Sequence, residues 1–113
     1  MLERAAQLAT LLTAAGAPTY TDPVEALNNR PCVLIGPPTQ TFDLPLPHRT
    51  VNWSLTVLSA SAGGGVAVWA ECDELVDLVV EFLAVDDALP IRYALDDAAA
   101  PIPAYQMHLE ESL

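Results

Sequence analysis

Positive charge is what this 113-residue chain has least of: four Lys plus Arg stand against 15 Asp plus Glu, a formal net charge of −11. The four cations, Arg4, Arg30, Arg49 and Arg92, lie far apart in sequence. Non-specific DNA or RNA binding needs clustered cations to displace counterions, so this balance argues against it, and equally against docking on anionic lipid. Long apolar runs are missing too. None approaches the ~18 residues of a membrane span. Met1 leads directly into a helical pattern, with no basic region followed by a signal-type apolar core. The expectation is a soluble protein, cytoplasmic when synthesised. Cysteine is scarce: Cys32 and Cys72 fall in a strand pattern and on an apolar helix face. They read as buried reduced thiols, since a chain of this size does not need a disulfide.

Catalytic signatures are absent as well. Cys32, Cys72, His48 and His108 have none of the close pairs that structural zinc sites use, so no metal site is expected. The run Gly63-Gly64-Gly65 is not followed by Lys-Ser or Lys-Thr and is no phosphate loop. Ser54, Ser59 and Ser61 lack a nucleophile-elbow context, and neither histidine has an evident orienting partner. The acid pairs Asp86-Asp87, Asp96-Asp97 and Glu110-Glu111 read as water-facing turn residues. A catalytic pair would need one buried carboxyl with a raised pKa. No enzyme and no cofactor are expected.

What the chain does have is apolar residue: 52% hydrophobic against 17% charged. The length suits one domain, residues 1–113, with one core. So small a subunit with so few charges exposes apolar surface, which favours self-association or a partner. The organising stretch is Val66 to Val85. Val68, Cys72, Leu75, Val76, Val79, Phe82 and Leu83 recur at three- and four-residue steps and predict one buried helix face. Asp73, Glu74, Asp77 and Glu81 fall opposite, as a solvated face or the acidic surface of an assembly. Leu78 and Val80 flank that face, which makes them candidate contact residues.

The rest of the chain supplies a sheet for this helix. Leu2–Ala15 predicts a first helix, stopped by Gly16 and Pro18. Thr19–Thr21 reads as a connection. Asp22-Pro23-Val24-Glu25 has the form of a capping box opening a short helix that ends near Asn28-Asn29. Cys32–Gly36 reads as a short apolar strand. Residues 37–47 hold four of the ten prolines and predict an irregular, flexible loop, yet they carry Phe42, Leu44 and Leu46, which need something to bury them. His48–Ser61 is the clearest strand: Val51, Trp53, Leu55 and Val57 alternate with Asn52, Ser54 and Thr56. Beyond the main helix, Asp86–Pro90 reads as a turn, Ile91–Leu95 as a strand, Asp96–Pro101 as a reversal and Ile102–Glu110 as the last strand. His108 falls on the face opposite Tyr105, Met107 and Leu109. The expectation is an α+β two-layer domain, a mostly antiparallel four-stranded sheet with helices packed on one face.

Several of these stretches together resemble the tail terminator proteins of long-tailed bacteriophages. They are the first helix from Leu2, Arg30-Pro31-Cys32-Val33-Leu34-Ile35, the long Val51-Asn52-Trp53-Ser54-Leu55-Thr56-Val57 strand, the glycine link, Asp73-Glu74-Leu75-Val76-Asp77-Leu78-Val79, and the closing Ile102-Pro103-Ala104-Tyr105-Gln106-Met107-His108-Leu109 strand. The resemblance implies a virion subunit at the tail neck, assembled in the host cytoplasm into a homohexameric ring. Such a ring caps the tail tube protein, ends its polymerisation and offers a surface to the head connector or neck protein. DNA passes through it without specific binding. No active site is implied. Ring or partner contacts would fall on Phe42, Leu44, Leu46, Leu78 and Val80, and an acidic lumen on Asp73, Asp77, Glu81, Asp96 and Asp97. Another neck or head-completion protein is the nearest alternative, and a small-ligand-binding α+β domain is a further one.

Overall fold

A computed structural model describes residues 1–43, 48–60, 65–95 and 101–112, and of Asp43 the backbone alone. Described elements follow in the order α1 (Leu2–Ala14), β1 (Thr19–Tyr20), α2 (Pro23–Asn28), β2 (Cys32–Ile35), β3 (Thr39–Asp43), β4 (His48–Leu58), α3 (Val66–Phe82), β5 (Asp87–Tyr93) and β6 (Ile102–Ser112).

The alternating residues of β4 make it the spine of the sheet. β6 pairs antiparallel with it over nine residues, from Thr50↔Ser112 to Leu58↔Ala104. Its other edge is shared: β2 pairs with Leu55–Leu58 and β3 with His48–Asn52, both antiparallel. β5 closes one side against β6, and β1 runs parallel to β2 on the other. The sheet is therefore six-stranded and mixed. It is α+β as expected, but not a four-stranded antiparallel sheet. Two strands account for the difference. β1 is two residues long, and its partner lies fourteen positions downstream (33 − 19), so no local pattern marks it. β3 occupies part of the segment expected to be irregular. Its prolines bound the strand instead of interrupting it, since Pro37 and Pro38 precede Thr39. Residues 44–47 of that loop lie outside the described residues.

Helices cover both faces, not one. On the first face α1 and α3 bury Leu8, Leu12, Val68, Cys72 and Val79 against Val33, Val51, Trp53, Leu55, Val57 and Met107. The second face is smaller: Ala26 of α2 packs on Cys32, Leu34, Leu58 and Ala104. Thr56, expected on a polar face, is buried there. α2 is one and a half turns long, so its apolar content is too small to show a period.

Local signals set the ends of α1 and α2. The Gly16 N–H donates to the Thr13 carbonyl and the Ala17 N–H to that of Leu12, a Schellman closure that needs the positive φ of 103° found at Gly16. The Asp22 side chain accepts from the Val24 N–H, with Pro23 at the first helical position. Arg4 of α1 reaches Glu111 at the far end of β6, Nη2 to Oε2 at 2.8 Å. β5 starts at Asp87, four residues before the strand the sequence suggests, because its outer half is exposed and shows no buried alternation.

Candidate assembly surfaces

The residues with a predicted role distribute over three places. The first is an arm. β3 and the first half of β4 form a hairpin in which Phe42 pairs with Arg49 across the strands. Phe42 is 63% exposed. The Arg49 guanidinium lies 5.4 Å from its ring centroid, a cation–π distance, and donates to Gln40 Oε1 at 3.0 Å. Leu44 and Leu46 lie outside the described residues.

The second place is the outer side of α3. Asp73, Asp77 and Glu81 are all exposed, and the four-residue steps between them set them along one stripe. Asp96 and Asp97 lie outside the described residues. Val80 faces outward at 53% exposure, whereas Leu78 is partly buried against the subunit's own core. Its Cδ1 lies 4.0 Å from where a Gly16 Cβ would stand. Of the two margin residues, only Val80 turns its side chain away from the core. Helical spacing did not single out Val66 and Trp69, which share that flank at 77% and 61% exposure. Phe82, placed in the buried arc by periodicity, is instead half exposed. It is the last helical residue, and the period continues where the supporting sheet does not.

The third place is one row of the second sheet face. Ser54, His108 and Asp87 are successive register partners on β4, β6 and β5. His108 Nδ1 and Asp87 Oδ1 are 2.6 Å apart, so this histidine does have an orienting partner, contrary to the sequence reading. The order of residue types is that of a nucleophile, base and orienting acid. Among the described residues, however, no hydrogen bond joins Ser54 to His108. Both members of the pair are also more than a third exposed, which does not provide the water-excluded setting that acyl transfer uses.

Both cysteines are free and buried. The Cys32 thiol donates to the Ala26 carbonyl, and burial pushes it up to about 11, with Arg30 pulling weakly the other way. Burial also raises Cys72, helped by Glu71 and Asp73. Neither is poised as a thiolate nucleophile. Among the described residues no group of three or more His, Cys, Asp or Glu could hold a metal ion, and no helix is long and apolar enough to cross a membrane.

Among the described residues, one buried side-chain nitrogen has no hydrogen-bond partner: Trp53 Nε1, on a side chain that is fully buried. Trp53 lines a cavity of about 310 Å³ between the start of α1 and the base of the arm. The strand alternation locates this side chain in the core but carries no information about its N–H. Compared with family models, with curated proteins and with solved structures, the chain matches none of them.

Proposed function

We propose that this chain is the ring-forming tail terminator of a long-tailed bacteriophage, a structural subunit that caps the tail tube and presents a surface for head joining. The observation that carries the reading is the amount of outward-facing apolar side chain that lies outside the two buried clusters of the domain. Phe42 on the arm and Val66, Trp69 and Val80 along α3 are each more than half exposed. A monomer does not gain by showing them, and a subunit that completes its burial on assembly does. The α+β architecture is compatible with this role, and the Ser54–His108–Asp87 row gives little support to a hydrolase.

The acids fit the same reading. In a ring traversed by DNA, Asp73, Asp77 and Glu81 of α3, or Asp96 and Asp97, would line the opening and repel phosphates over a Debye length of about 8 Å at physiological salt. Partners on this reading are a second copy of the chain, the tail tube protein and a head connector or neck protein. The deciding experiment adds the purified chain to growing tail tubes. Tubes are expected to stop elongating, with a ring visible at one end by electron microscopy. Rings that bind a connector and leave tubes growing would reassign the chain to another neck protein. Replacing Asp73, Asp77 and Glu81 together by Lys is expected to leave rings intact and to make them retain DNA in a filter assay. Rings that still ignore DNA would remove α3 from the lumen.

A further inference from the structure

The second sheet face is covered at one end only. Ala26 of α2 closes its apolar end over Cys32, Leu34, Leu58 and Ala104, and α2 is six residues long. Beside that cover lies a cavity of about 350 Å³. Its floor follows the ladder: Leu34, Thr56 and Gln106 are successive register partners on β2, β4 and β6, and Ser54 stands two residues back along β4. Thr21 and Pro23 line it from the α2 side, and Tyr93 of β5 lines it as well. Thr56 is only 6% exposed, yet its hydroxyl makes no hydrogen bond among the described residues. Nor is that oxygen sealed off: Trp53 Nε1 is the one sealed and unpaired side-chain atom among them. A buried hydroxyl needs a partner, and the cavity is the way one reaches it. The side chains of Ser54, Tyr93 and Gln106 are likewise unengaged among the described residues. Three strands thus bring four uncommitted polar groups to one space.

We propose that this cavity binds a neutral sugar ring. Among the described residues no Asp, Glu, Lys, Arg or His lines it. The ionisable groups next to the lining are engaged elsewhere. Asp22 caps α2 through the Val24 N–H, and His108 and Asp87, in the register row of Ser54, hold each other at 2.6 Å. An ionic ligand would enter without a counter-charge, and an anion would also meet the field of a chain with net charge −11. The groups on offer are hydroxyls and a carboxamide. Each of them both donates and accepts, which is what the adjacent hydroxyls of a sugar ring require in return. Pro23, Leu34 and Tyr93 add apolar wall for the C–H faces of such a ring. The volume lies at the low end of the roughly 300–1,000 Å³ of ligand sites, which suits one ring and not a chain of them. The site is on the sheet face opposite α3 and does not depend on the assembly proposed above.

The test titrates the full, isotope-labelled chain with the methyl glycosides of glucose, galactose, mannose and N-acetylglucosamine, followed by NMR. At least one is expected to bind with a Kd of about 1 mM or tighter, moving the backbone amides of Thr56 and Gln106 and the side-chain amide of Gln106. Thr56→Val keeps the shape and removes the hydroxyl, and is expected to weaken binding about tenfold or more. Thr56→Ser, which restores a hydroxyl, is expected to recover most of it. Gly36→Val fills the cavity from β2 and is expected to abolish binding. A Cβ at Gly36 meets nothing closer than the Ser54 carbonyl oxygen at 3.8 Å, so this variant and both Thr56 variants are expected to retain the circular dichroism of the parent. A cavity that binds none of the glycosides holds only water, and the proposal then fails. It fails too if the signals that move lie elsewhere, or if Thr56→Val binds as the parent does. Tighter binding of glucose 6-phosphate or of uridine than of every neutral glycoside would likewise overturn it. Capping of tail tubes is read separately by electron microscopy, so neither result decides the other.

Discussion

Leu55 and Phe82 show how far a side chain's cost depends on where its element lies. Leu55 is fully buried at the centre of β4, and Phe82 is 47% exposed at the end of α3. Leu55→Ala is expected to cost about 2–5 kcal/mol, as cavity-forming changes do. Phe82→Ala is expected to cost about 1 kcal/mol or less, and to act mainly on assembly. Denaturant unfolding of the two variants checks the order. Cys32 makes a second residue-level prediction. Its thiol rises from an ordinary 9.0 to about 11 on burial. Below pH 9 it is neutral in both states, so its full contribution is present. Between pH 9.0 and about 11 the unfolded chain ionises and the folded chain does not, so stability falls as pH rises. At 1.36 kcal/mol per unit the loss is of the order of 2–3 kcal/mol. Cys32→Ala is expected to flatten the unfolding midpoint between pH 8.5 and 10.5 relative to the parent.

At the scale of elements, the reading from sequence succeeded where burial repeats locally. β4 alternates over four consecutive apolar positions, α1 carries its own stop signal, α2 its own cap, and most of the α3 stripe is buried. It failed where the deciding contact is distant. β1 exists because Val33 and Leu34 lie beside it, and β3 because β4 returns antiparallel to it. The second layer exists because Ala26 meets a face of β4 and β6 that looks polar in sequence except at Leu58, Ile102 and Ala104. The exposed patches on α3 and the arm were partly legible as apolar residues out of phase, whereas the orphan indole N–H needed coordinates. β5 supplies a prediction at this scale. It is an edge strand with Pro90 at its centre, and a proline there denies a pairing chain one donor. Pro90→Val is expected to speed aggregation on mild heating, measured by light scattering, with little loss of stability.

For the whole molecule the net charge of −11 opposes association of copies, because every subunit repels its neighbour. Exposed apolar contacts must overcome that repulsion, and salt screens it. Self-association, measured by sedimentation, is expected to strengthen as salt rises from about 20 mM to about 300 mM, with a Debye length shrinking from roughly 20 Å to under 8 Å. Contacts made mainly through ion pairs would weaken instead. Arg4 already engages Glu111, and Arg30 donates to the carbonyls of Leu27 and Ser59, which leaves few cations for intersubunit pairs.

The spine strand runs without a break from the core into the arm, laddered to β6 as far as Ser112. That continuity makes the arm's reach a quantity with discrete steps. One residue added to β4 between Asn52 and Trp53 would turn every side chain on one side of the insertion to the opposite face. Val51 would leave the core, or Trp53 would. Two residues added to β4, matched by two in β3, preserve both faces and lengthen the arm by roughly 7 Å. Single-residue insertions there are expected to abolish folding, and matched pairs to fold and assemble with altered geometry, as solubility and particle diameter would show. On the ring reading proposed above, the spacing of subunits would change in units of the pleat and in nothing smaller.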